Sequence, residues 1–330
     1  MLKKPFFLII ILIIGFKRFP KTDNENDNNN SIPIAFSADN KYVYPLIVLL
    51  TSILFNAGPT TFYHFHIMIP YDFSKSNELK ILDLAKKYPR CKINFYNLYY
   101  KYETWSRFSY YSQTVFYRLS LSDLVKKLDK IIYLDCDTMV HKDLTEFYNI
   151  DMGDSYYMGF PGHEIGYVVI EGTRNFINSG VMLVNLKELR KIRAPILYDR
   201  YYNEYGTQKV DEYLINHVFY NKIRFLPFKY GIPDFEEGHE IIGSPTIFWY
   251  AVKCDKGYCN GTESELISSS INRTITHGAY KVEKWWTRKY ESLTEIGKQW
   301  IYYASKSNVF DEICNYYGQF QNICQQLKIK

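Results

Sequence analysis

The chain has 330 residues, nearly half of them apolar and 18% aromatic, which excludes a disordered chain and allows a sizeable core. Its formal net charge of +5 is mild for that length, and no block of five or six like charges occurs, so nucleic-acid binding is unsupported. The first feature in chain order is PFFLIIILIIGF at 5–16, flanked by Lys3 and Lys4 before it and Lys17 and Arg18 after it. An apolar run of about a dozen residues is shorter than the ~20 that usually span a bilayer and matches a secretory core of about 7–15. No small-residue cleavage site follows. We expect a short signal anchor, with a signal peptide as the alternative, and read the polar tract DNENDNNN at 23–30 as a stem. The body is then expected in the lumen of the Golgi or endoplasmic reticulum as a single-pass type II protein, or secreted. Sequons at Asn29, Asn260 and Asn272 fit that placement, though each is a short pattern in an Asn-rich chain. Of six cysteines, Cys254 with Cys259 and Cys314 with Cys324 are each spaced for a disulfide, whereas Cys91 and Cys136 sit in strand-like runs and read as buried thiols. No Cys/His spacing suits zinc.

After the stem, IPIAFSA (32–38) reads as a strand and 42–56 as a buried helix whose Pro45 falls in the first turn. YHFHIMI (63–69) is a strand, 76–88 a helix and CKINFYN (91–97) a strand. Residues 112–128 place Val115, Phe116, Leu119, Leu124, Val125 and Leu128 on one helical face. KIIYL then forms a strand ending at Asp135. Such alternation predicts a mostly parallel sheet with right-handed crossovers. Beyond it come a strand at 176–186, helices over 187–203 and 208–221, loops over 228–273 and two tail helices within 291–328.

The segment that calls for a function is IIYLDCDTMV at 131–140. Ligands of parallel sheets bind beyond the carboxyl ends of strands, and Asp135 lies at such an end. In extended chain, Asp135 and Asp137 would face one point, where a hard divalent cation is the natural partner for two carboxylates. A bare D-x-D also arises as a turn cap or a solvated pair.

Together with IAFSADNKY, TVFYRL, FINSGVMLVNL, VDEYLIN and THGAYKVEKWW, this segment resembles glycosyltransferase family 8, the retaining nucleotide-sugar enzymes, in order over about 32–286. The resemblance implies an α/β fold of the GT-A type, a Rossmann-like nucleotide-sugar domain with C-terminal helices. It also implies a UDP-sugar donor with Mn²⁺, or Mg²⁺ in its place, and a glycan, glycoprotein or glycolipid acceptor. Carried over, Ser37 and Asp39 read the uridine, and Arg118 contacts the donor. Asp135 and Asp137 bind metal and the ribose or diphosphate. Asn178 and Asp211 hold sugar hydroxyls, His277 is the third metal ligand and Lys284 reaches a phosphate. Asp211 at a helix start is also a natural N-cap.

The chain departs from the family at several points. Lys41 stands in place of Asn, and Glu212, beside Asp211 in the catalytic pair, stands in place of Gln. Gly278 follows His277 directly, and Lys284 is shifted by one, leaving Lys281 as the other candidate for the phosphate. The expected layout is tail, anchor and stem over 1–31, a catalytic domain over 32–290 and a helical tail over 291–330. The rival readings are a catalytically silent sugar-binding module on the same fold and a D-x-D phosphatase.

Overall fold

The structure is a computed structural model that describes residues 31–99, 101–106, 112–161, 176–205, 211–231, 273–278, 284–287, 289, 293 and 295–328. The expected anchor and stem, the sequons' asparagines, Cys254, Cys259 and Lys281 lie outside the described residues. Strands β1 (Ile32–Ser37), β2 (Tyr63–Ile69), β3 (Cys91–Asn97) and β4 (Lys130–Leu134) run parallel in the order β3-β2-β1-β4. The central strands β1 and β4 are buried almost throughout, as strands covered on both faces must be. Helix α1 (Val43–Phe55) is buried along nearly its whole length. Its Thr51 and Ser52 hydroxyls remain satisfied by donating to the carbonyls of Ile47 and Leu49, at 2.7 Å each. Helix α2 (Lys75–Lys87) starts at Ser74, whose hydroxyl accepts from the Asn77 amide.

The sheet continues beyond β4 with a change of direction. β7 (Ile177–Asn185) lies antiparallel to β4, β6 (Tyr157–Pro161) antiparallel to β7, and β8 (Ile223–Phe225) parallel to β6 at the edge. A separate two-stranded sheet pairs β5 (Thr138–Val140) with β9 (Ile275–His277). Short helices α3 (Glu103–Ser106) and α5 (Thr145–Tyr148) fill connections.

Four expectations need correction. The helix foreseen over 112–128 is a 3₁₀ turn series, Gln113–Ser120, followed by one α-turn, α4 (Leu121–Leu124). Buried Thr114, Ser120 and Ser122 favour interior helix poorly, and the buried Arg118 has to reach the sheet end. The helix foreseen over 187–203 is two helices, α6 (Leu186–Lys191) and α7 (Ala194–Tyr205), broken at Arg193 with φ +53° and restarted with Pro195 in the first turn. Among the described residues the tail holds three α-helices rather than two: α9 (Glu295–Lys306), α10 (Phe310–Tyr316) and α11 (Gln321–Lys328). Helix α8 (Asp211–Val218) ends before the 221 foreseen, and 208–210 lie outside the described residues.

Cys314 and Cys324 form a disulfide with 6.1 Å between Cα atoms, while Cys91 and Cys136 are free. Trp300, Ile301, Ile313 and Phe320 of the tail share one hydrophobic core with α1 and the parallel strands. Among the described residues, no helix is long and apolar enough to cross a membrane.

Candidate active site

Strand β4 ends at Leu134, and its ladder runs one step further: the Asp135 amide donates to the Gly180 carbonyl at 2.8 Å. Asp135 and Asp137 then converge through a turn rather than through extended chain. Thr138 closes that turn onto the Asp135 carbonyl, with its amide at 3.2 Å and its hydroxyl at 2.8 Å. The antiparallel pairing of β5 with β9 sets His277 opposite Thr138, and the Gly278 amide donates to the Asp137 carbonyl at 2.8 Å. His277 Nε2 thereby lies 3.3 Å from Asp137 Oδ1 and 3.9 Å from Asp135 Oδ2.

One ligand atom from each of Asp135, Asp137 and His277 lies within 4.8 Å of the others. That spacing is close to what one ion holds with ligands at about 2.1 Å each. A hard or borderline divalent cation suits two carboxylates and an imidazole. Space beside the cluster depends on Gly180, where a Cβ would come 2.1 Å from His277 Cε1, 2.5 Å from its Nε2 and 2.8 Å from Asp135 Oδ2.

Two cations brace the acids. Lys284 Nζ pairs with Asp137 Oδ2 and also donates to the Gly278 carbonyl at 2.7 Å. Burial alone would raise the Asp137 carboxyl; the charges of Lys284 and then His277 outweigh it and hold Asp137 well below the usual carboxylate range. Arg118 lies beneath Asp135, with 2.7 Å to Asp135 Oδ1 and 3.1 Å to Asp211 Oδ2. It also donates to the Ser179 carbonyl at 2.6 Å and lies over the Tyr133 ring, 4.4 Å from the centroid. Burial opposes its charge, but Asp135 and Asp211 more than restore it, so Arg118 stays protonated. Only 5% exposed, it props the acids from below.

Helix α8 delivers the remaining acids. Asn216 pairs with both backbone groups of Ile177, accepting from its amide and donating to its carbonyl at 2.8 Å each, which locks α8 against the start of β7. The Asp211 carboxylate accepts from the Ser179 hydroxyl at 2.8 Å and is buried, which raises its pKa against the pull of Arg118. Glu212 Oε2 accepts from Asn178 Nδ2 at 3.0 Å and from the Ser179 amide at 3.1 Å. Asn178 Oδ1 in turn accepts from the Gly180 amide at 2.8 Å. Surrounding protein, and then the Asp211 charge, push the Glu212 carboxyl up to about 7.

A carboxyl raised in this way binds more protons folded than unfolded, so it weakens the fold as pH climbs from about 4.3, its ordinary value, towards 7. In the metal-free protein, E212Q should therefore gain stability over the parent across that window and level off above it, read as Tm against pH. Parallel curves would show that Glu212 titrates at its ordinary value.

Ser37, at the end of β1, meets the site through Tyr133, whose hydroxyl lies 3.3 Å from Ser37 Oγ and 3.0 Å from Asp135 Oδ1. The Cys136 thiol donates to the Ser37 carbonyl at 3.2 Å and is pushed up by burial, then by Asp135 and Asp137. Asp39 caps the turn Asn40–Tyr42, accepting from the Lys41 and Tyr42 amides. Sequence reasoning missed Tyr42, Tyr133, Ser179 and Gly180. The Tyr42 hydroxyl is raised by burial and then by Asp137, and its ring meets Trp286 edge to face. The signal for Gly180 was a glycine inside a strand pattern, which marks close approach.

Comparison with known proteins converges on the same reading. The chain is 26% identical over 216 residues to a presumed glycosyltransferase of Haemophilus influenzae, covering 60% of this chain and 62% of that protein. It is 26% identical over 226 residues to the lipopolysaccharide 1,2-glucosyltransferase of Escherichia coli, covering 62% of this chain and 63% of that one. In both, the match spans less than two thirds of the relative's own length. The solved galactosyltransferase LgtC, in complex with donor and acceptor sugar analogs, superposes with a TM-score of 0.65 at 20% identity over 84% of this chain and 96% of LgtC. The α/β architecture is thus the GT-A fold that the resemblance implied. The sequence profile of glycosyl transferase family 8 matches residues 33–233, and the chain belongs to that family.

Proposed function

We propose that this protein is a retaining glycosyltransferase that moves a hexose, glucose or galactose, from a UDP-sugar to a glycan or glycoconjugate acceptor, with Mn²⁺ or Mg²⁺ in its site. The observation that carries the reading is the Asp135–Asp137–His277 cluster at the carboxyl end of β4, braced by Arg118 and Lys284. A divalent ion held there would shield the diphosphate and so improve it as a leaving group. Lys284 adds a second positive charge beside that position. Ser37 and Asp39, at the end of β1, hold the nucleoside. Asn178 and Glu212 present the polar edge towards the donor sugar, and Asp211, enclosed by Arg118 and Ser179, fixes that edge in place.

Glu212 stabilises positive charge that builds at the anomeric carbon. E212Q should then lower kcat about tenfold to a hundredfold without abolishing it. Near-complete loss rescued by azide as a glycosyl azide would instead make Glu212 a nucleophile. The disulfide between Cys314 and Cys324 supports a body that works in an oxidising compartment, lumenal or secreted, with residues 5–16 as anchor or signal. Protease treatment of membranes with and without detergent tests that placement; a body digested without detergent would refute it.

The test of function is a panel of UDP-sugars assayed for UDP release with Mn²⁺ or Mg²⁺. Release from a UDP-hexose that needs the ion and rises with a glycan acceptor is expected. Release of inorganic phosphate, or no turnover with any donor, would overturn the reading.

A further inference from the structure

The small sheet that carries His277 has a second face. Thr276 and His277 are successive on β9, so their side chains point to opposite sides. His277 faces Asp135 and Asp137, and the fully buried Thr276 faces away from them. Thr276 Oγ1 lies 2.8 Å from Nε2 of His141, the residue that follows β5. His141 Nδ1 lies 3.3 Å from the Tyr303 hydroxyl of α9, and that hydroxyl accepts from Asn56 Nδ2 at 2.9 Å. Asn56, at the end of α1, also donates to the Val140 carbonyl at 2.9 Å, and the Ser52 hydroxyl accepts from the Val140 amide at 3.0 Å. The tail, α1 and both strands of the small sheet therefore meet at one polar junction directly behind His277.

A two-stranded sheet with three residues per strand is marginal by itself. Something outside it has to fix its position, and a satisfied buried polar network specifies one arrangement more sharply than apolar packing does. We propose that Tyr303, His141 and Thr276 are positioning residues for His277, so that the C-terminal tail sets the affinity of the site for its divalent ion. The proposal rests on the metal reading above and adds the tail to it.

The test is calorimetric titration of Mn²⁺ into the metal-free full chain, alongside thermal unfolding, for Y303F, T276V and the pair combined. Y198F is the control, since it removes a buried hydroxyl contact, Tyr157 to Tyr198 at 2.6 Å, in the other hydrophobic core. Y303F and T276V should each raise the Mn²⁺ Kd about tenfold, with non-additive effects in the pair. The kcat at saturating Mn²⁺ should stay within about twofold. Y198F should lower Tm and leave Kd unchanged. If Y303F and T276V also lower Tm with Kd unchanged, the junction is merely structural and the proposal fails while the metal reading stands. No Mn²⁺ binding by the unaltered protein would overturn both.

Discussion

Gly180→Ala is expected to abolish turnover while leaving the protein folded. The added methyl would lie 2.1 Å from His277 Cε1 and 2.8 Å from Asp135 Oδ2, far inside van der Waals contact. A flexible side-chain end could swing clear, but His277 is 3% exposed and its backbone, at the end of β9, is paired to Thr138 of β5. Asp135 is held as well, because its amide bonds the Gly180 carbonyl and its carboxylate is paired with Arg118. The imidazole must therefore leave its place beside the carboxylates. Loss of one of three protein ligands should weaken Mn²⁺ binding by about a hundredfold or more and lower kcat/KM by at least about a thousandfold. Mn²⁺ titration and steady-state kinetics check this, and a folded, metal-binding, active G180A would mean that the site lies elsewhere.

D135N and D137N should both remove turnover at any donor concentration, since stabilisation of the leaving diphosphate acts in the transition state. They should differ in stability. Asp137 pairs with Lys284, which keeps 18% of its side-chain surface exposed and can turn to solvent once released. Asp135 pairs with Arg118, whose side chain is 4% exposed and, among the described residues, keeps Asp211 as its charged partner when Asp135 is neutralised. D135N should then cost about 2–3 kcal/mol, below the full penalty of a stranded buried charge because Asp211 remains. D137N should cost less, about 1–2 kcal/mol, because Lys284 can regain water even though the pair is largely enclosed. Denaturant unfolding reads the difference. Equal stabilities would show that Arg118 does not depend on Asp135.

Much of this fold could be read from the chain because its signals are local. β1 and β4 are short apolar runs, and α1 spans Val43–Phe55 where apolar residues foretold 42–56. Asp135 and Asp137 were readable because charge ended an apolar strand. His277 drew attention only through resemblance, since its place beside them depends on the pairing of β5 with β9, two strands too short to show a period. Ser179 and Asn216 were invisible for a related reason: their roles are contacts between β7 and α8, and nothing nearby in sequence specifies those contacts. Arg118 was read as a group facing the donor. Its burial under Asp135 and Asp211 follows from the 3₁₀ winding of Gln113–Ser120, which its helical spacing of apolar residues concealed.

The most direct measurement is calorimetric titration of UDP into the protein in the presence of Mn²⁺ and again in the presence of a chelator. A donor site built on Asp135, Asp137 and His277 predicts UDP binding at least about a hundredfold tighter with the ion, the diphosphate and the carboxylates otherwise repelling each other. It also predicts that D137N binds UDP equally weakly in both conditions. Equal affinity of the unaltered protein with and without Mn²⁺ would contradict a metal-centred donor site.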